Sequence, residues 1–280
     1  MDRLLGGPER LTRTLNALFG HPCISIHHDH SKSKIDETSL RAENIEFVID
    51  YSRTGWGEFG VISGAIKAFQ LMKARWGLPE WIFLISESCY PIKPASAFYA
   101  QIRRTRFDVH LHHELIDKNN IRREWTNLCY KRYCMHPSNP FCTHFPCFAG
   151  EFWFHANSRA INALLNFHER NPLLAQYYSS LEDFHIQRKI LPTYSKAGGK
   201  SVPNPEESYF HTILCNNYEL SISPNHYRFI DWDRDGDVPA TLATKDFMAL
   251  MESNALIARK FNEDHDSRIL DQIDKVIGIS

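Results

Sequence analysis

The sequence predicts an α/β fold with a mostly parallel central sheet flanked by helices, built as one domain over residues 1–280. Three observations carry this reading. Short β-branched or continuously apolar runs alternate along the chain with stretches whose apolar residues recur at helical spacing. One of the runs, 81–85, is apolar throughout, in the manner of a strand buried on both faces. No linker, repeat or low-complexity tract divides the chain.

In chain order, residues 9–19 place Leu11, Leu15 and Leu18 at helical spacing, and 23–28 then alternate as a strand. Residues 45–49 read as a second strand. Ile62, Ile66, Phe69 and Met72 mark one face of an amphipathic helix over 58–76. Strands follow at 81–85 and 107–112. Residues 117–147, rich in Cys, Pro and basic side chains, read as a long irregular excursion. A strand at 149–155 precedes helices over 158–169 and 172–190, and Gly198-Gly199 marks a mobile loop. A helix over 205–215, strands at 218–222 and 227–230 and two closing helices complete the chain. Ligands of such sheets sit beyond the carboxyl ends of the strands, which directs attention to the loops after His28, Ile85 and Phe154.

At 43% hydrophobic and 23% charged, the chain can bury a substantial core. A net charge of -1 gives no global attraction for nucleic acid or an anionic membrane, so no nucleic-acid partner is expected. The first residues, MDRLLGGPERL, lack the apolar core of a signal peptide, and no stretch is long and apolar enough to span a bilayer. The expectation is a cytoplasmic protein, with peripheral membrane association left open. Seven cysteines cannot all pair with one another, and reduced thiols are the simpler reading.

Five constellations bear on chemistry. Asn204-Pro205-Glu206-Glu207 has the composition of a well-made helix start; a glutamate held there can also serve as a general base. Arg259-Lys260 reads as a solvated pair near a helix end or as an anchor for a diphosphate. In His27-His28-Asp29-His30, strand alternation sends only two side chains to each face, which argues against a metal site. Asp231, Asp233, Asp235, Gly236 and Asp237 begin like a calcium loop, but Leu242 stands where that loop needs Glu; a metal-binding D-x-D remains an alternative. Cys129, Cys134, Cys142 and Cys147, with His136 and His144 among them, lack zinc-knuckle spacing; a structural zinc or a disulfide remains open. A Gly-rich phosphate loop and a G-x-S-x-G motif are both absent from the sequence.

Seven segments, taken in order, resemble the core-2/I-branching β-1,6-N-acetylglucosaminyltransferases and peptide O-xylosyltransferases, in their plant-like or microbial branch. They are ISIHHDHSKSK (24–34), TGWGEFGVISGAIKAF (54–69), WIFLISESCYPIKP (81–94), GEFWFHANSRA (150–160), NPEESYFHTIL (204–214), YRFIDWD (227–233) and ALIARKF (255–261). The resemblance implies a GT-A-like fold. It also implies inverting, metal-independent transfer from a UDP-sugar, GlcNAc or xylose, to a hydroxyl of a glycan or glycoconjugate, with no cofactor. It assigns Glu207 as catalytic base, Arg259 and Lys260 to the donor diphosphate, Asp29 to the nucleotide side and Trp232 to the acceptor. Trp56 and Trp153 fall to packing. Departures stand beside these matches. The family's usual first strand has no counterpart before residue 8. Ala240 occupies the place of a diphosphate-facing arginine, which Arg228 or Arg234 would have to replace. Cys89 and Glu206 stand where aspartates are usual. An inactive carbohydrate-binding relative, or a metal-dependent transferase using the 231–237 acidic run, are the alternative readings.

Overall fold

The structure, a computed structural model, describes residues 8–55, 57–121, 123–188, 203–232 and 238–279. Helix α1 (Pro8–Phe19) leads to strand β1 (Ile24–Ile26), a one-turn helix α2 (Glu37–Leu40) and β2 (Ile45–Phe47). Helix α3 (Gly60–Trp76) follows, its buried face carrying Ile62, Ile66, Phe69 and Met72 as the spacing predicts. Gly64 lets this helix approach β1 closely, because a Cβ there would lie 2.6 Å from the His27 ring.

Strands β3 (Trp81–Phe83) and β4 (Cys89–Pro91), helix α4 (Ala95–Arg104), and strands β5 (Val109–His110) and β6 (Glu114–Ile116) come next. Helix α5 (Glu124–Tyr133) then replaces most of the predicted irregular excursion, burying Thr126, Cys129, Arg132 and Tyr133. Strands β7 (Cys147–Ala149) and β8 (His155–Asn157) flank residues 150–154, which the sequence reading had taken as the strand itself. Helix α6 (Ser158–Arg170) starts on Asn157, whose side chain accepts the Ala160 N–H at 3.0 Å, and α7 (Pro172–Arg188) follows. The predicted helix over 205–215 is broken: a single 3-10 turn, Pro205–Glu207, precedes α8 (Tyr209–Cys215). Strands β9 (Ile222–Ser223) and β10 (Arg228–Ile230), helix α9 (Phe247–Glu252), strand β11 (Ile257–Arg259), and helices α10 (Glu263–Asp266) and α11 (Arg268–Ile277) close the order. Arg259 thus lies in a strand, not near a helix end as the sequence suggested. Gly198-Gly199 lies outside the described residues.

The sheets correct the expectation of a mostly parallel centre. Four strands pair in the order β3-β8-β5-β9 and three in the order β10-β11-β4, with two-stranded β1-β2 and β6-β7 beside them. β1–β2, β10–β11 and β5–β9 are parallel; β3–β8, β5–β8, β11–β4 and β6–β7 are antiparallel. Parallel neighbours need a crossover, usually a helix. Here β8 instead runs back between β3 and β5, and β4 lies antiparallel beside β11.

Two cores result. The larger joins α3, α6, α7 and α8 to the four-stranded sheet through Ile62, Phe69, Ile161, Leu164, Leu181, Phe210 and Leu214. The smaller joins α1 and α11 through Leu11, Ile269, Leu270 and Ile273. A polar clasp fixes the latter: Arg10 donates to Glu263 at 3.2 Å, Asp271 at 2.8 Å and Asp274 at 2.7 Å. Tyr90 Oη donates to Asp274 at 2.7 Å and bonds Thr14 Oγ1 at 2.6 Å. No helix among the described residues is long and apolar enough to cross a membrane.

A column of rings lies on the four-stranded sheet. His155 stacks between Phe83 and His110, with 4.6 Å between centroids on each side. It is 1% exposed, and its Nδ1 has no hydrogen-bond partner. Burial and the nearby Arg228 push the His155 imidazole well below its usual range. The unfolded chain therefore binds a proton near pH 6.5 that the folded chain refuses, so His155 costs stability as pH falls below about 6.5. His155→Phe keeps the stack and removes the titration. The expected result is a melting temperature near wild type above pH 7 and a growing advantage for the variant toward pH 5, read by thermal denaturation across pH.

Candidate active site

Glu207 ends the 3-10 turn that Asn204 opens with a left-handed backbone (φ 45°). Arg132 Nη1 donates to its Oε2 at 2.8 Å and Asn204 Nδ2 to its Oε1 at 3.2 Å. Its side chain keeps 26% of its surface open, against 10% for Arg132. Burial pushes the Glu207 carboxyl up while the Arg132 guanidinium opposes the rise. The result is an ionisable oxygen, fixed in direction and reachable from solvent. Tyr133 Oη locks the turn from behind by donating to Asn204 O at 2.7 Å. Helix α5, missed in the sequence, supplies both Arg132 and Tyr133.

Glu206 turns the other way. Its Oε2 is buried without a hydrogen-bond partner, and burial followed by the charge of Glu207 pushes it up to about 8. It holds a proton at neutral pH, so the turn carries one negative charge rather than two.

Residues 150–154 tie this turn to the other predicted residues. Gly150 N–H donates to Glu207 O at 2.8 Å. Glu151 accepts the Trp232 Nε1–H at 2.9 Å on Oε1 and pairs with His226 Nε2 at 2.5 Å on Oε2. Burial alone would raise the Glu151 carboxyl, but His226 and the Trp232 N–H hold it at about 2. The Glu151 carbonyl accepts from His211 Nε2 at 3.0 Å. The Arg259 guanidinium lies over the Trp153 ring, 4.6 Å from its centroid, with no hydrogen-bond or ion-pair partner among the described residues. Trp153 thus does more than pack: it supports a cation.

Arg228 does not take the role of the absent arginine at Ala240. It is buried, and its Nη2 donates to Leu84 O at 2.7 Å and Phe154 O at 3.2 Å, joining the loops after β3 and before β8. Arg234, the other substitute, and Trp56 lie outside the described residues, as do Asp233, Asp235, Gly236 and Asp237 of the acidic run.

Asp29 is 7% exposed and fully engaged. Its Oδ1 accepts from Ser31 N and Oγ at 3.0 and 2.6 Å, and its Oδ2 from Thr54 N and Oγ1 at 2.6 and 3.0 Å. Burial opposes ionisation, yet these bonds hold the carboxyl far below its usual range. Asp29 clasps the loop after β1 to the one before α3. Trp232 is 39% exposed and Lys260 half-buried. Glu207, Trp232 and Arg259 are therefore brought together through 150–154, whereas Asp29 sits on a neighbouring pair of loops.

Among the described residues, no group of three or more His, Cys, Asp and Glu side chains converges in a way that could hold a metal ion. The seven cysteines are free thiols; Cys129 and Cys147 are buried, Cys134 is part-buried and Cys142 is exposed. Sequence reasoning did not single out Arg132, Glu151 or His226. An acid inside the apolar run FAGEFWF was the one available sign of Glu151.

Residues 150–154 thus contact a carboxylate fixed by an ion pair, a cation on an aromatic face and a half-exposed indole. The profile of the family described as Core-2/I-Branching enzyme matches residues 6–253, and the chain belongs to this family of GT-A-like glycosyltransferases. A beta-glucuronosyltransferase of Arabidopsis thaliana, GlcAT14B, is 39% identical over 71 residues, which are 24% of this chain and 16% of that relative's length.

Two outcomes follow from the site. A Cβ on Gly150 would lie 2.0 Å from His112 O and 3.0 Å from His211 Nε2. Gly150→Ala is expected to displace the segment that carries Glu151 and Trp153, with a melting temperature lowered by several degrees and loss of most transfer activity. Glu206, raised from the ordinary glutamate range to about 8, costs stability increasingly as pH climbs through that window. Glu206→Gln should therefore melt a few degrees higher than wild type at pH 9, with the difference vanishing toward pH 4.5.

Proposed function

We propose that the protein is an inverting glycosyltransferase that moves a sugar from a UDP-sugar to a hydroxyl of a glycan or glycoconjugate. The observation that carries this reading is Glu207, an accessible carboxylate aimed by Arg132 and bonded through its backbone to the segment that supports Arg259. In the reaction, Glu207 takes the proton of the acceptor hydroxyl. The hydroxyl oxygen forms the new bond to the anomeric carbon from the face opposite the leaving group. The bond from that carbon to the phosphate oxygen breaks, and its electron pair leaves with UDP. One displacement inverts the configuration.

The roles of the remaining residues follow from their surroundings. Arg259, on the face of Trp153, and the adjacent Lys260 stabilise charge on the departing diphosphate, the largest electrostatic demand of the step. These two cations serve in place of a divalent ion. Asp29 shapes the loops that border the nucleotide, acting through Ser31 and Thr54. Trp232 offers a half-exposed ring on which a sugar face can stack. Burial against Arg132 keeps the Glu207 carboxyl above the ordinary range and nearer to the operating pH, where a general base works best.

The donor sugars favoured are GlcNAc and xylose, with glucuronic acid added because one relative is a glucuronosyltransferase. The test is UDP release from UDP-GlcNAc, UDP-xylose and UDP-glucuronic acid with EDTA present. Wild type is expected to turn over one donor, and Glu207→Gln to lose roughly 10²- to 10⁴-fold. Near-normal release by the variant would remove Glu207 as base. Activity abolished by EDTA and restored by a divalent ion would replace the two-cation account with a metal-dependent one.

A further inference from the structure

We propose that Glu151 is a positioning residue for the acceptor: it fixes the plane of the Trp232 ring and sets that ring's place relative to Glu207. This deepens, and rests on, the reading of Trp232 as an acceptor platform.

Trp232 stands at the edge of the described structure, two residues beyond β10 and 39% exposed, where an indole with no polar anchor would be free to rotate. Its one N–H is taken by Glu151 Oε1 at 2.9 Å. Glu151 itself cannot swing, because His226 Nε2 holds the other oxygen at 2.5 Å. His226 is held in turn: its Nδ1 accepts the Arg228 backbone N–H at 3.0 Å, which leaves the Nε2 side to carry the proton toward Glu151. Arg228 is pinned by the carbonyls of Leu84 and Phe154. Every link in this chain from the sheet to the indole is therefore occupied, and Glu151 and His226 keep only 21% and 13% of their side-chain surface.

The same dipeptide reaches the base. Gly150 N–H bonds Glu207 O at 2.8 Å, so the Gly150-Glu151 pair carries the turn of the base on one side and the aromatic platform on the other. A sugar ring stacked on Trp232 presents its hydroxyls at a height set by that ring. A change in tilt moves the attacking oxygen relative to Glu207, and misplacement by about 1 Å is enough to cost about 100-fold. The ionised Glu151 is a positioning group rather than a second base, since its carboxylate is consumed by two donors.

The experiment uses the whole chain labelled with 5-fluorotryptophan, the Trp232 fluorine resonance being assigned by its loss in Trp232→Phe. p-Nitrophenyl galactoside, glucoside and N-acetylglucosaminide serve as acceptor probes. In Glu151→Ala, the Trp232 resonance is expected to shift or broaden while the other tryptophans stay in place. The dissociation constant of the bound probe should rise tenfold or more, with UDP binding changed less than twofold. Glu151→Gln, whose single amide oxygen can accept from only one of the two N–H donors, should restore the resonance and the affinity in part. In a Trp232→Phe background, Glu151→Ala should add no further loss. An unmoved Trp232 resonance in Glu151→Ala, or an undiminished additional loss in the Trp232→Phe background, overturns the proposal. A wild-type Trp232 resonance that ignores all three probes overturns the acceptor role on which it rests, and UDP release by wild type then tells that failure from failure of the transferase reading.

Discussion

Residues 150–154 impose the constraint on which the rest of the site depends. The segment runs between two strands of different sheets, in a region where backbone groups are shielded from water and must find partners within the protein. Its partners come from far along the chain. Gly150 N–H goes to the turn of Glu207, the Glu151 carbonyl to His211 on α8, and the Phe154 carbonyl to Leu84 and Arg228. Each bond contributes modestly, on the order of 1 kcal/mol net, but leaving one such group unpaired costs more. The segment therefore has one conformation available, and its side chains inherit that fixity. Glu151 and Trp153 are held by these bonds, and Trp232 and Arg259 through them.

The interior is unusual in how many titratable groups it holds in a non-aqueous setting. His110, His155 and His211 are buried and pushed toward the neutral form, His211 to about 3. Asp29, buried, and Glu151, part-buried, stay ionised because hydrogen-bond donors surround them. The imidazoles and these two carboxylates disfavour acid, whereas Glu206 disfavours alkali. Opposing terms of this kind confine maximal stability to a band in the mildly acid to neutral range. The site lies where the terms meet, with Glu207 and Glu206 beside Arg132 and Glu151 beside His226.

Local periodicity made the helices at 60–76 and 158–170 readable, since their buried faces are almost purely apolar, and Leu11, Leu15 and Leu18 marked the first helix although Thr12 and Thr14 are buried on it. Helix α5 was hidden for a physical reason. Its sequence, EWTNLCYKRY, is poor in strong helix formers, and its buried face includes Thr126 and Arg132, which no hydrophobic pattern would mark. Arg132 is buried because Glu207, seventy-five residues away, meets it there. The same holds for Glu151, whose partners are His226 and Trp232: nothing near it in sequence predicts either. The strand direction failed for another reason. Alternating strands and helices suggested crossovers between parallel neighbours, but β8 and β4 pair antiparallel with strands remote in the sequence, a choice of partner and direction that no local pattern encodes. The family segments, by contrast, were legible because they are short and contiguous. They located Glu207, Trp232 and Arg259 in sequence, whereas their assembly around 150–154 depends on contacts that only the fold makes.

The pairing of Glu207 with Arg132 explains why a second acid can stand beside it. Two ionised carboxylates on one buried turn would repel, and a single guanidinium could neutralise only one of them. With the proton retained on Glu206, the group of three carries Arg132 positive, Glu207 negative and Glu206 neutral, which is the least costly distribution in a site of low polarity. Arg132 orients the Glu207 carboxylate but also lowers its affinity for a proton; burial works in the opposite sense and dominates. The Glu207 carboxylate is thus held at a geometry set by an ion pair and at a basicity set by desolvation. Since these two properties come from different neighbours, the fold can keep the carboxylate still without making it inert.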